Sequence, residues 1–350
     1  MKIELWLILA LVGCTAPKGD DSADDSADDS GTPEQCAEPV VTFEADDGSV
    51  RDLTANLLSG DYLTLDTPGR LSVCPGTWFA RLLIRADIEV VGLGAAPEDT
   101  ILSGGEQGTI LDVAGVTLDV SNVRLDRGAG LDVDHNSGGG GIYCQDYGVV
   151  NASNLAFTDN FANDGPAIYV QDCELAVSGA SFLDNVAEDD GGAVTVWYSH
   201  ATVSDSVFER NTGLDGGAMA VFYGSATVNN TQFTDNTSTH FAGALWMYSS
   251  DLTMDGATFT RNINSGDDGG GLLMHGSATL NNVTFDGNSA LRGGGLFVYY
   301  EATVTGTNCN FSENSPEDIY AADYSEAGGN AFDVGSGYSF SCVANVCTPQ

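Results

Sequence analysis

The sequence is nearly devoid of lysine. Lys2 and Lys18 are the only two, and Lys+Arg number 11 against 50 Asp+Glu, a formal net charge of −39 over 350 residues. A surface this acidic repels phosphate backbones and anionic lipid, which excludes nucleic acid as a partner. Long apolar runs are lacking as well. Leu5 to Val12 is apolar but too short to span a bilayer, and no other segment approaches a span. No stretch keeps apolar residues at i, i+3 and i+4 over the ten or so positions a helix needs. No Cys-x-x-Cys or His/Cys cluster suggests zinc. His135, His200, His240 and His275 fall at different phases of the repeat described below and form no constellation. What is present is a 42% hydrophobic fraction, enough for a core, and 44 glycines without a Gly-X-Y period, which signal tight turns rather than collagen.

The N-terminus is set aside before the fold is read. Met1-Lys2 give a small positive start, Leu5 to Val12 an apolar segment, and Leu11-Val12-Gly13-Cys14 closes it. That closing tetrapeptide resembles the bacterial lipobox. The resemblance implies a signal peptide over residues 1–13, cleavage before Cys14 and a lipid on its thiol. Thr15, where inner-membrane retention would place Asp, favours the outer membrane by enterobacterial sorting rules. Residues 14–35 are an acidic, Ser-rich low-complexity tether. Its like charges repel and should extend it, leaving it disordered.

Self-similarity is the strongest signal. Phe-x-x-Asn recurs as Phe157/Asn160, Phe182/Asn185, Phe208/Asn211, Phe233/Asn236, Phe259/Asn262, Phe285/Asn288 and Phe311/Asn314, at steps of 25 or 26 residues. In phase with it, a small-residue corner such as Gly-Gly-Ala leads into Ile142, Ile168, Val194, Met219, Leu245, Leu272 and Leu296. Several short β-branched runs per period, without helices, fit one coil of a parallel β-helix. The Leu-x-x-Leu-x-Leu frame of leucine-rich repeats is absent, as is the Gly-Gly-x-Gly-x-Asp calcium nonapeptide. Coils stack at about 4.8 Å, so equivalent residues form ladders. A ladder of Asn160, Asn185, Asn211, Asn236, Asn262, Asn288 and Asn314 can bond amide to amide, with each Phe stacking inside.

The expected fold is therefore all-β: a right-handed parallel β-helix, a single-stranded solenoid of about ten coils over 36–314, regular over 139–314. Residues 315–350 should cap its open end, and residues 132–141 should protrude as a loop. The paired corner and Phe-x-x-Asn motifs of 139–314 resemble the repeats of polymorphic outer-membrane proteins. LSVCPGTWFARLLIRADIEVVGLG, residues 71–94, resembles the opening of pectin-esterase-like and pectate-lyase-like β-helix proteins. These resemblances imply the fold and a location on the cell envelope or outside it. They imply no single activity, because the fold hosts lyases, hydrolases, adhesins and tail-spikes. No C-terminal membrane barrel follows, so the lipid would do the anchoring.

Of the eight Cys, Cys14 is assigned to lipid. Cys36 with Cys74, and Cys342 with Cys347, are candidate disulfides in an oxidising envelope. Cys144 and Cys173 lie on neighbouring coils, and Cys309 is left over. Connectivity is not fixed by sequence.

Strand alternation puts each corner aliphatic, and the residue two beyond it, on the core face. The residues between and after them then face outward, and they are aromatic: Trp197, Phe222, Trp246, Tyr248 and Tyr299 form a candidate binding strip for sugar rings or a cell-surface partner. Aromatic ladders also stabilise sheets by stacking alone, and that reading stays open. Asp164, Asp190, Asp215 and Asp268 share one corner position, with Phe241 and Arg292 interrupting the column. Asp190, Asp215 and Asp268 are candidate calcium ligands, against the alternative of a solvated charged corner. Otherwise no cofactor is expected. Arg210 and Arg261 alternate with Asp184 and Asp235 in one column, which suggests cross-coil ion pairs rather than a catalytic base. No catalytic residues are singled out. The leading reading is a monomeric, surface-exposed, non-catalytic adhesion, recognition or structural lipoprotein. The alternative is a polysaccharide lyase or glycoside hydrolase with a pectate-lyase-like fold.

Overall fold

A computed structural model describes residues 36, 40–130, 138–323, 329–343 and 346–350. The signal peptide, Cys14, the tether, His135 and most of the 132–141 loop lie outside the described residues. Residues 36–350 form one unit.

The unit is an all-β right-handed parallel solenoid of about nine turns. One coil shows how sequence makes it. Val194–Trp197 is the first strand, His200–Ser204 the second, Val207–Glu209 the third and Thr212–Gly213 a short fourth. Each pairs in parallel with its equivalent on the next coil: Val194 with Met219, His200 with Ser225, Phe208 with Phe233, Thr212 with Thr237. The third column contains ten stacked strands from Gly76–Phe79 to the end of Thr303–Ser312, hence nine turns between first and last.

The bends have a local cause. The residue between Phe-x and Asn takes positive φ in coil after coil: Asp159, Asp184, Arg210, Asp235, Arg261 and Glu313 all lie between +51° and +54° or at +55°. A left-handed residue there turns the chain sharply between the third and fourth strands. The motif fixes Phe and Asn but leaves this position free, because what it contributes is backbone geometry.

The core is built from the two ladders. Phe157, Phe182, Phe208, Phe233, Phe259 and Phe285 are fully buried, and successive rings stack with centroids 4.3–4.9 Å apart. Beside them the ladder amides from Asn185 to Asn288 are saturated. Asn211 donates one Nδ2 hydrogen to Asn236 Oδ1 (2.9 Å) and the other to the Phe182 carbonyl (3.0 Å). Its Oδ1 accepts from Asn185 Nδ2 (2.9 Å) and from the Asn185 backbone N–H (3.1 Å). The pattern repeats from Asn160 to Asn288, and Asn314 closes it on Asp318 Oδ1 (2.9 Å). Only a side chain with two donors and a two-lone-pair acceptor fills this role.

The ends depart from the parallel pattern. Val41–Ala45 packs antiparallel on Gly69–Val73, and the short helix Thr54–Ser59 follows, so the first segment caps the stack instead of starting it. At the other end Ile319–Ala322 adds a parallel strand beyond Leu296–Val298, which carries the stack past residue 314. Tyr338–Val343 then runs antiparallel along Thr303–Ser312, and Val346–Pro349 completes a hairpin over it. Disulfides join Cys36–Cys74, Cys144–Cys173 and Cys342–Cys347. Cys309 is free and buried, and burial pushes its thiol up, so it stays protonated.

Candidate aromatic groove

The first-strand column carries two outward files. Trp197, Phe222, Tyr248 and His275 are register partners in one. Tyr143, Tyr169, Thr195, Ala220, Trp246, Leu273, Phe297 and Tyr320 are partners in the other. Outward does not mean exposed here. The Gly-Gly corner before each strand folds back over the second file: a Cβ on Gly191 would stand 2.3 Å from Thr195 Oγ1, and one on Gly269 2.9 Å from Leu273 Cβ. Thr195 and Ala220 are fully buried beneath it. Strand alternation assigns a face, but the corner that covers that face comes from the preceding turn.

This alters one expectation. Phe222 is only 3% exposed, held between Trp197 (centroids 4.2 Å, stacked) and Trp246 (4.9 Å, edge-on). It supports the strip and offers no face to a ligand. Trp197, Trp246, Tyr248 and Tyr299 are half-buried. Beside them stand Tyr198, 55% exposed, and Tyr223, 44% exposed, stacked 5.2 Å apart. Both hold positive φ, +47° and +54°, a conformation that bulky residues rarely adopt.

Toward the C-terminal end the groove deepens into a cavity of about 340 Å³. The corners supply Phe241, Asp267, Asp268 and Arg292; the strands supply Trp246, Tyr248, Leu273, His275 and Phe297; the last turn supplies Tyr299, Tyr300 and Glu301. Arg292 and Asp268 form a two-pronged ion pair, Nε to Oδ1 at 2.7 Å and Nη2 to Oδ2. The Arg292 guanidinium also lies 5.3 Å from the Phe297 ring centre and 5.1 Å from that of Tyr320. The carboxylate, foremost, holds the guanidinium far above its ordinary range. Sequence reasoning did not assemble this cavity. The signal present was the interruption of the aspartate column by Phe241 and Arg292.

Asp268 is thus engaged by Arg292. The carboxylates that converge, all within 4.8 Å of one another, are those of Asp189, Asp190 and Asp215, an arrangement compatible with calcium. Asp164 accepts the Asp190 N–H (3.0 Å), and Asp215 accepts the Phe241 N–H (2.8 Å) and pairs with His240 Nδ1 (2.9 Å). Burial, then the charges of Asp164, Asp189 and Asp215, push Asp190 up to about 8. A proton kept on Asp190 relieves the repulsion that a cation could otherwise relieve. On another face Arg210 grips Asp184 (2.9 Å) and Arg261 grips Asp235 (2.7 Å), each across one coil.

Residues 131–341 match the family model of the right-handed β-helix region. No curated protein matches the sequence. A similar solved structure is PfbA, a surface adhesin of Streptococcus pneumoniae, with 9% identity over 85% of this chain and 92% of that one and a TM-score of 0.30. With coil, ladder and family model coinciding over more than half its length, the chain belongs to the right-handed β-helix region family.

Proposed function

We propose that the chain is a non-catalytic recognition rod of the cell envelope. Cys14 would carry the lipid, residues 14–35 would hold the rod off the outer membrane, and the aromatic groove would meet a glycan or another cell-surface partner. The observation that carries this reading is the strip formed by half-buried Trp197, Trp246, Tyr248 and Tyr299 beside exposed Tyr198 and Tyr223. The left-handed turn that holds Tyr198 and Tyr223 recurs at Asp172 and Ser249 and belongs to the scaffold; what sets the two tyrosines apart is a large ring kept exposed at that turn.

The test is a glycan array and a whole-cell binding assay with wild type and a Trp197→Ala/Tyr223→Ala double variant. Loss of binding is expected. Undiminished binding by a folded double variant removes the strip from the reading. For the anchor, Cys14→Ala should move the protein from the membrane fraction to the medium or the periplasm.

The lyase or hydrolase reading has one favourable observation, the convergence of His275, Asp268 and Arg292 at the cavity. A lyase base needs a guanidinium that gives up its proton readily. Arg292 is held the other way by Asp268. Turnover of any acidic or neutral polysaccharide, read by ultraviolet absorbance and reducing ends, would restore that reading.

A further inference from the structure

The cavity at the C-terminal end of the strip differs in ring geometry from the other end, where Trp197 stacks on Phe222 and Tyr198 on Tyr223. Trp246 and Tyr248 meet at 57°, Tyr248 and His275 at 51°, His275 and Tyr299 at 69°. A sugar ring lies flat against an aromatic face, and a run of sugars needs faces side by side. Rings set across one another make walls, and walls enclose a rounded group.

Charge says which rounded group. Asp267, Asp268 and Glu301 line the cavity against a single guanidinium, and that guanidinium is taken by Asp268. One ring face of the lining already accepts a cation, since Arg292 lies over Phe297. Aromatic faces attract positive charge through their quadrupole, most strongly for cations with little hydration to lose. An ammonium clad in methyl groups has that property, and its methyls also fill apolar space. An anion would meet the carboxylates, and a bare ammonium, more strongly hydrated, would lose more water against the ring walls than a methylated one.

We propose that this cavity, walled by Trp246, Tyr248 and Tyr299 with Glu301 at its rim, binds a quaternary ammonium group of choline type. The walls are the C-terminal members of the same strip, and what goes beyond the adhesion reading is the ligand. Trp197 and Tyr223, on which that reading is tested, do not line it.

The experiment is isothermal titration calorimetry on the full chain, with Trp fluorescence alongside. Choline is compared with its uncharged isostere 3,3-dimethylbutan-1-ol and with phosphocholine. Choline should bind at least about ten-fold more tightly than the isostere, the charge being the sole difference. Phosphocholine should bind more weakly than choline, because its phosphate meets Asp267 and Glu301. Trp246→Ala should abolish binding. Because Trp246 packs on Phe222 and Phe241, a second variant guards against misfolding. Glu301→Gln, on a side chain 63% exposed, should weaken choline several-fold and leave the melting temperature unchanged. Equal affinity for choline and the isostere, full affinity in either folded variant, or no heat at millimolar choline would each overturn the proposal. None of these outcomes bears on the glycan array.

Discussion

Asn211 and Asn236, one coil apart and both fully buried, are joined Nδ2 to Oδ1 at 2.9 Å, and neither has a hydrogen-bonding position left unused. Removing one amide strands partners on both sides. Asn211→Ala takes the Asn211 bond from the Phe182 carbonyl, the Asn185 Nδ2 hydrogen and the Asn185 backbone N–H, and leaves the Asn236 oxygen with the Asn211 N–H alone, at about 1–3 kcal/mol for each buried group stranded. The variant should lose at least about 3 kcal/mol in denaturant unfolding. Asn314→Ala, at the half-buried end of the ladder, should lose less. Equal losses would mean that the ladder does not act through saturation.

The corner at Gly191 tests whether that residue is required for its backbone. Its φ is +60°, and a Cβ would stand 2.3 Å from both the Val194 carbonyl and Thr195 Oγ1. Gly191→Ala should therefore cost about 2 kcal/mol or more, combining left-handed strain with displacement of the strand it covers. A melting temperature within a degree of wild type would show that the corner yields freely.

Asp190 gives a pH dependence with a definite sign. Its carboxyl titrates at about 8 in the folded chain and at about 3.9 once unfolded. The folded state holds the proton more tightly, so the contribution is complete below about pH 4, declines as pH rises and is gone above about pH 8. Asp190→Asn should flatten the fall in melting temperature between pH 5 and pH 8.5. Calcium would compete with that proton, so added calcium should raise the melting temperature more at pH 9 than at pH 6. A chelator without effect at either pH would leave the proton as the only counterion needed.

The three disulfides should differ in weight. Cys144–Cys173 closes 29 residues and Cys342–Cys347 closes 5. On chain-entropy grounds the first contributes about 3–4 kcal/mol and the second about 2 kcal/mol. Paired Cys→Ala variants, compared by urea unfolding, should keep that order. The reverse order would place the stabilisation in the cap and not in the unfolded chain.

The repeat is where sequence and structure coincide most closely, because stacking makes each position answer to its neighbours above and below. Phe208 and Asn211 are legible as a pair for that reason: ring must meet ring and amide must meet amide. The bending residue Arg210 is illegible, since a left-handed φ leaves no side-chain signature beyond a mild preference for Asp, Asn and Gly. Phe222 is legible as outward and illegible as covered, because its cover belongs to other residues. The cavity is the least legible element. It exists where coils stop being alike, at Phe241, Arg292 and Glu301, and a method that looks for sameness passes over it. The antiparallel cap at Val41–Ala45 has the same difficulty, with no second copy to reveal its phase.

The amides of the buried ladder all point the same way. Each donates one Nδ2 hydrogen back to the coil before it and the other to the coil that follows it in the chain, and each waits for that following coil to supply the oxygen for its side chain and for its own backbone N–H. An unfinished stack thus carries one dissatisfied asparagine at its growing edge, and the next 25 or 26 residues to arrive are what quiet it. A chain delivered from its N-terminus would be zipped closed in the order of delivery, each turn locking the one before and holding itself open for the next.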